Sequence, residues 1–262
     1  MSDSVLIQPM FPGDVPLALK MIYAHDEDDG EAAEESYESS LENQFCLKVK
    51  DRLVGVTGFR REGKDVAWLS WHYVQPKLQG KGWGEVMLKQ VMAKVAEHGV
   101  RKMFISTSDY RESPSVPMLY AGAIALYEKE GFERECYHAD YFEKGEGEIV
   151  YGKRVRPPDM GMGVSKPVPV RLFEAELIDE TDSAFFIDWE ECEEGERFTI
   201  DDLNAIVFKT TKAGATAIFV SFPSTMSEGV QALLSQGGFQ EDGVLRDYHA
   251  DGIHEIRYRR NV

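Results

Sequence analysis

Basic side chains are scarce in this sequence of 262 residues: 29 Lys and Arg stand against 46 Asp and Glu, a formal net charge of −17. So acidic a surface repels a phosphate backbone unless a basic patch is segregated, and none is visible, which argues against nucleic acid as a partner. Cysteine is scarce as well. Cys46, Cys136 and Cys192 are scattered, odd in number and without metal spacing, which argues against a disulfide framework or a metal site. They read as reduced thiols of a cytoplasmic protein, each buried as a small apolar side chain. Long apolar runs are missing too: nothing approaches the roughly 20 residues of a membrane span. The start, Met1-Ser2-Asp3-Ser4, offers no basic leader. A soluble, cytoplasmic protein without membrane or metal partners is expected.

Hydrophobic residues make up 43% of the chain, enough for ordinary cores, and its length suggests two units. Val5 to Pro9 reads as a strand and Asp14 to Tyr23 as a helix. An acidic run follows from Asp26 to Glu42. With Gly30 as the sixth position of a calcium loop, the first ligand would fall on His25 and the twelfth on Ser36, so the pattern fails at both ends. The run reads as a solvated helix face. Phe45 to Lys50 and Arg52 to Phe59 form a hairpin turning near Asp51. Val66 to Val74 and Met103 to Ser108 are strands around one helix. Arg134 to Phe142 and Glu148 to Arg154 close the first part as an antiparallel pair. Alternation of strands and helices implies a mixed α/β (α+β) sheet.

The stretch Val74 to Gly84 carries the chemistry. Pro76 ends the strand, three glycines follow in Gln79-Gly80-Lys81-Gly82-Trp83-Gly84, and a helix opens with Val86, Met87, Val91, Met92 and Val95 at helical spacing. A glycine turn before a helix start can aim several N–H groups at one anion, with the positive dipole end behind them. A P-loop is excluded because Gly84 is followed by Glu85 and Val86, without the hydroxyl. A dinucleotide fingerprint is excluded by the spacing of Gly80, Gly82 and Gly84.

Gln79 to Gly84 resembles the Gln/Arg-x-x-Gly-x-Gly/Ala pyrophosphate loop of the GNAT superfamily of acyl-CoA N-acyltransferases. Ala123-Ile124-Ala125-Leu126-Tyr127-Glu128-Lys129-Glu130-Gly131-Phe132 resembles that superfamily's second helix motif. The resemblance implies a GNAT-like fold with acetyl-CoA as co-substrate. Gln79, Gly80, Lys81, Gly82, Trp83 and Gly84 would hold the pyrophosphate, and the backbone of Tyr73 and Val74 would pair with the pantetheine arm at a bulge. Tyr127 would protonate the departing thiolate. Two positions depart from the family pattern. Trp68 stands where some members carry a glutamate base, and Tyr120 where an asparagine is usual. His72, on the same strand face as Trp68 and titratable near neutrality, is one candidate base; a chain of water molecules is the other.

The chain also repeats itself. At an offset of 107, Ala125-Leu126 meets Ala232-Leu233, Gly131-Phe132 meets Gly238-Phe239, Tyr127 meets Leu234 and Asp140-Tyr141 meets Asp247-Tyr248. Upstream the offset is 115, with eight extra residues between Asp109 and Tyr120 in the first copy. Carried back to the glycine loop, 115 sets Gln79 to Gly84 against Glu194 to Thr199, acidic and nearly glycine-free, with Thr199 and Asp202 reading as a capping box. The expectation is thus a catalytic GNAT-like domain at 1–155, a Pro/Gly linker at 156–168 and a truncated, CoA-less copy at 169–262. That copy would cover a sheet edge, shape the acceptor cleft, or form an intramolecular pseudo-dimer; a homodimer is also open. The function expected is N-acetylation of a small-molecule or peptide amine, with longer acyl groups open, and the rival is a noncatalytic CoA-binding or regulatory module.

Overall fold

A computed structural model of the chain describes residues 6–157, 168–179, 181–226 and 228–262. The expected linker falls mostly on residues 158–167, outside the described residues. The chain folds as two compact units: Met1–Ser106 with Gly122–Glu133 and Gly152–Pro157, and Thr107–Ala121 with Arg134–Tyr151 and Pro158–Val262. The hairpin that closes the first repeat therefore groups with the second repeat.

The first unit is built from β1 (Ile7–Pro9), α1 (Val15–Tyr23), α2 (Glu27–Ser39), β2 (Gln44–Val49), β3 (Arg52–Glu62), β4 (Val66–Val74), α3 (Trp83–Glu97), the start of β5 (Lys102–Ser108) and most of α4 (Ala121–Lys129). Its strands lie in the order β1-β2-β3-β4-β5, antiparallel except for the last pair. Lys50 and Asp51 at the β2–β3 turn both have positive φ, 50° and 59°, the turn whose twist matches that of the flanking strands. The acidic run forms α2. Asp26 caps it by accepting a 3.1 Å hydrogen bond from the Asp29 N–H, and Glu27, Asp28 and Asp29 sit in the first turn, where the helix dipole favours negative charge. Ala18, Met21 and Ile22 of α1 pack with Ala33 and Tyr37 of α2 against Cys46 and Val56. Met87, Leu88, Val91 and Val95 give α3 its buried face.

The second unit holds the hairpin of β6 (Glu133–Glu143) and β7 (Glu146–Arg154), then β8 (Val170–Leu177), β9 (Ala184–Glu191), α5 (Ile200–Lys212), β10 (Ala217–Pro223), α6 (Glu228–Gln236), β11 (Gln240–Ala250) and β12 (Ile253–Asn261). Strand order is β7-β6-β11-β12-β10-β9-β8. Ile187, Leu203, Ile218, Phe222 and Leu234 are central to its core.

The repeat survives in backbone detail. At the offset of 107, α4 matches α6, β6 matches β11 and β7 matches β12, end for end. Asp140 and Asp247 share a positive φ, 50° and 55°, and each accepts from a glycine N–H five residues on, Gly145 at 2.6 Å and Gly252 at 2.9 Å. β6 and β11 pair antiparallel with Cys136 opposite Gly243, its own repeat equivalent. The approach there is so close that a Cβ on Gly243 would stand 2.5 Å from the Cβ of Cys136. Polar groups flank the contact. His138 Nδ1 lies 2.5 Å from Asp242 Oδ2, and Arg257 reaches both Glu148, at 3.4 Å, and Glu255, at 3.5 Å. Paired in this way, the partly buried guanidinium and its carboxylates avoid the penalty of a charge standing alone.

Candidate functional site

β4 is the strand on which the site is built. On one side it pairs with β3, but Gly58 faces Ser70 while Val56 faces Tyr73, so β4 carries one extra residue, a bulge. Trp71, at φ 43°, absorbs the distortion. On its other side β4 pairs with β5 only from Val66/Lys102 to Trp68/Phe104; no later pair of these strands occurs among the described residues. The strands part after Trp68, and the β4 backbone from Leu69 to Val74 is left as an edge that an extended ligand arm can add to. Trp68 is buried and stacks on Phe104 with centroids 5.1 Å apart, filling the mouth of the split with an apolar ring.

The turn after β4 is a single 3-10 turn, Pro76–Leu78, followed by Gln79 and the glycines. Gln79 Nε2 donates to the Val74 carbonyl at 3.1 Å, folding the turn back onto the strand end. Gly80 and Gly82 have φ of 69° and 83°. Gly82 is the N-cap of α3 and has no side chain to satisfy the helix's first donors, so the N–H groups of the opening turn remain for a ligand. Lys77 and Lys81 add positive charge to the turn. Glu85 is occupied by Lys89 at 2.6 Å and Lys129 at 2.5 Å, which hold its carboxyl well down, at about 2, and tie α3 to α4.

His72 and Tyr127 come together beneath this helix start, with ring centroids 6.5 Å apart. Tyr127 is buried against Phe132, and burial pushes its phenol well above the usual tyrosine range, so it stays protonated at any physiological pH. The Nδ1 of His72 shares a 2.9 Å hydrogen bond with Thr57 Oγ1. Its Nε2 is shut off from solvent, and burial depresses the ring's pKa to about 4. The imidazole is therefore neutral at pH 7. On the far side of β4, the Tyr73 hydroxyl donates to Asp29 Oδ2, and His25 meets the Tyr73 ring edge-on at 5.1 Å. Sequence reasoning missed Thr57 and, although it placed Asp29 in an acidic acceptor-side run, missed the contact of Asp29 with Tyr73. Thr57 and Asp29 stand 15 and 44 residues from their partners, and nothing local to either marks the contact.

The second repeat supplies the contrast, with one correction to the register expected from sequence. The parallel pairs set Val66 against Ala184, an offset of 118, while β5 and β10 hold 115. The 3-10 turns Pro76–Leu78 and Glu194–Glu196 match at 118, and the helix caps Gly82 and Thr199 at 117. Gln79 thus falls on Arg197, Gly80 and Lys81 are replaced by Phe198 alone, and Gly82 becomes Thr199. The difference is absorbed in the helices, 15 residues in α3 and 13 in α5. Phe198 is buried in the core. Thr199 and Asp202 cap α5 reciprocally, as the sequence predicts, so the donors that α3 leaves open are taken by side chains. In β9 no residue has a positive φ, and the extra residue of the β8–β9 pair lies in β8. Leu234, fully buried, stands in place of Tyr127.

Residues 17–132 match the model of the acetyltransferase (GNAT) family. By this match the segment 17–132 is an acetyltransferase domain of the GNAT family. Among solved structures, an aminoglycoside 6'-N-acetyltransferase complexed with coenzyme A is 17% identical, matching 59% of this chain and 99% of its own at a TM-score of 0.51. Ard1 from Thermoplasma volcanium is 13% identical over 59% of this chain and 99% of its own, at 0.50. At such identity the likeness concerns the fold. No curated protein matches the chain significantly. Among the described residues, no helix is long and apolar enough to cross a membrane.

Proposed function

We propose that the chain is an acetyl-CoA-dependent N-acetyltransferase of the cytoplasm that acts on a primary amine by direct transfer. Supporting this is one conjunction: the uncapped Gly82 start of α3 follows a bulged strand that parts from its neighbour, with a buried, protonated tyrosine beneath. Trp83, Gly84 and the glycine turn would take the pyrophosphate on backbone N–H groups, and Gln79 would hold the turn in shape. The edge of Tyr73 and Val74 would receive the pantetheine amide groups, fixing the thioester near the split.

The amine nitrogen then attacks the thioester carbonyl carbon, the carbon–sulfur bond breaks, and the leaving thiolate takes the proton of the Tyr127 phenol. The proton lost from the amine passes to solvent, and Tyr127 is reprotonated from there. His72, neutral and next to Tyr127, completes the pocket. A cationic acceptor fits the acidic first turn of α2, which reaches β4 through Asp29 and Tyr73. The second repeat, with its helix start already capped, serves as a scaffold that binds no CoA.

The second reading, a noncatalytic CoA-binding module, has Trp68 in its favour, because an indole cannot take a proton where a carboxylate base would sit. Release of free CoA thiol from acetyl-CoA, measured with polyamines, amino acids, an aminoglycoside and a peptide N-terminus, decides between the two. Turnover with any of them supports the transferase. CoA binding without turnover across the panel supports the module.

A further inference from the structure

His72 is the one histidine on β4, and its two nitrogens face different elements. Nδ1 meets the hydroxyl of Thr57, a buried β3 residue whose position lies opposite the bulge, between the pairs Val56/Tyr73 and Gly58/Ser70. Nε2 faces the first turn of α3: a Cβ built on Gly84 would lie 3.7 Å from it. The contact is loose, since Nε2 makes no hydrogen bond of full geometry, yet the Gly84 backbone is near enough to favour a proton on the ring. The Thr57 hydroxyl has no other partner among the described residues. If the ring donated from Nδ1, the buried hydroxyl hydrogen and the Nε2 lone pair would both go unmet. If the hydroxyl donates to Nδ1, only the Nε2 hydrogen remains, and it is turned toward the Gly84 backbone.

We infer that Thr57 and His72 form a positioning relay for the helix start: the Thr57 hydroxyl donates to Nδ1, and the Nε2 hydrogen braces the first turn of α3 at Gly84. In this relay His72 governs how well the turn is held for a pyrophosphate and takes no proton from the amine. The second repeat agrees. There the helix start is braced by the side chains of Thr199 and Asp202, and β9, reading Ala-Phe-Phe-Ile-Asp-Trp-Glu-Glu, carries no histidine. Where the N-cap is a glycine with no side chain, a strand histidine stands in; where a side-chain cap exists, the histidine is absent.

The relay rests on the proposed CoA site, and two measurements separate its failure from failure of that site. Nitrogen-15 NMR of histidine-labelled protein without ligand reports the tautomer of His72 directly. The Nε2-protonated form is expected from pH 6 to 9 in the wild type and in Thr57→Ser, with a mixture in Thr57→Val; an Nδ1-protonated wild type overturns the relay whether or not CoA binds. Calorimetric titration with CoA and steady-state kinetics then test the role. His72→Leu should raise the CoA Kd about tenfold and lower kcat at saturating acetyl-CoA less than threefold. His72→Gln, whose amide can present a hydrogen at the Nε2 position, should stay within threefold on both. A hundredfold loss of kcat in both variants with Kd unchanged would make His72 the base and overturn the inference. If wild type binds no CoA, the site reading fails, and the tautomer alone decides the relay.

Discussion

The rings of His72 and Tyr127 lie 6.5 Å apart, and both are held uncharged by burial: the imidazole by a pKa pushed down to about 4, the phenol by one pushed far up. Neither changes charge across the physiological range, so the pocket under the α3 start has constant electrostatics at working pH. Activity that rises with pH should follow the ionisation of the acceptor amine. A kcat/KM profile whose inflection moves with the pKa of the amine, for two amines of different basicity, checks this; an inflection fixed near 6.5 for both contradicts it.

Tyr127→Phe should lower kcat tenfold or more while CoA binding is retained, because only the proton donor is removed and the ring still packs on Phe132. Steady-state kinetics with calorimetric CoA titration measure the two effects separately. Unchanged turnover removes Tyr127 from the mechanism.

His72 also makes stability depend on pH. Its folded pKa is depressed to about 4 from an ordinary value near 6.5. Protons below pH 6.5 therefore bind the unfolded chain first, and the stability this group contributes is full above about 6.5 and lost as pH falls toward 4. Denaturant unfolding of wild type and His72→Gln between pH 7 and 4 should show a shallower decline in the variant.

Two glycines of the turn should respond oppositely to alanine. Gly82, at φ 83°, imposes a left-handed backbone that costs a side chain about 1–2 kcal/mol, so Gly82→Ala should lower Tm and weaken CoA binding at least tenfold. At Gly84 a Cβ would meet Leu126, His72 and Val74 at 3.4–3.8 Å, ordinary contact. Gly84→Ala should bind CoA within threefold of wild type and leave Tm unchanged or slightly raised.

One CoA should bind per chain. Thr199→Ala breaks the α5 capping box at a cost of about 1 kcal/mol without altering CoA stoichiometry or affinity. Calorimetry reads both, and a stoichiometry of two defeats the division of labour between the repeats.

The thiols should differ in reactivity. Burial pushes Cys46 up to about 11 and Cys136 to about 12, whereas Cys192 is only partly buried. Ellman's reagent at pH 8 should label Cys192 first, and the other two only on unfolding, because the thiolate is the reactive form.

Much of this was legible in the sequence, for physical reasons that can be named. β4 ends where expected because Pro76 cannot continue a ladder, and the helix after Gly82 follows from its apolar spacing. Tyr127 and Leu234 fall on equivalent helices as the 107 offset predicts. The register of the glycine loop against its repeat did not follow. A helix can lose residues at an exposed end without any mark in its apolar pattern, so an offset carried through α3 and α5 slipped by two to three positions. The family resemblance implied a bulge near Tyr73, but not its seat at Trp71, since an aromatic β-former gives no warning of a positive φ. Thr57 could be found only once β3 lay beside β4, because a hydroxyl in an apolar strand is uninformative until its neighbour is known.

Cys136 lies opposite Gly243, the position it becomes when the chain repeats itself. Two strands that cross at equivalent residues make the contact that identical polypeptides make about a twofold axis. Identical polypeptides, however, must carry the same residue on both sides of such an axis, and at this separation two side chains would collide. Covalent fusion lifts that restriction: one strand can keep a thiol while the other gives up its side chain to accommodate it. The joint between hairpins is thus a fit open to a duplicated gene and closed to a dimer of separate subunits, and a chain cut between its repeats would inherit complementary surfaces that no longer match themselves.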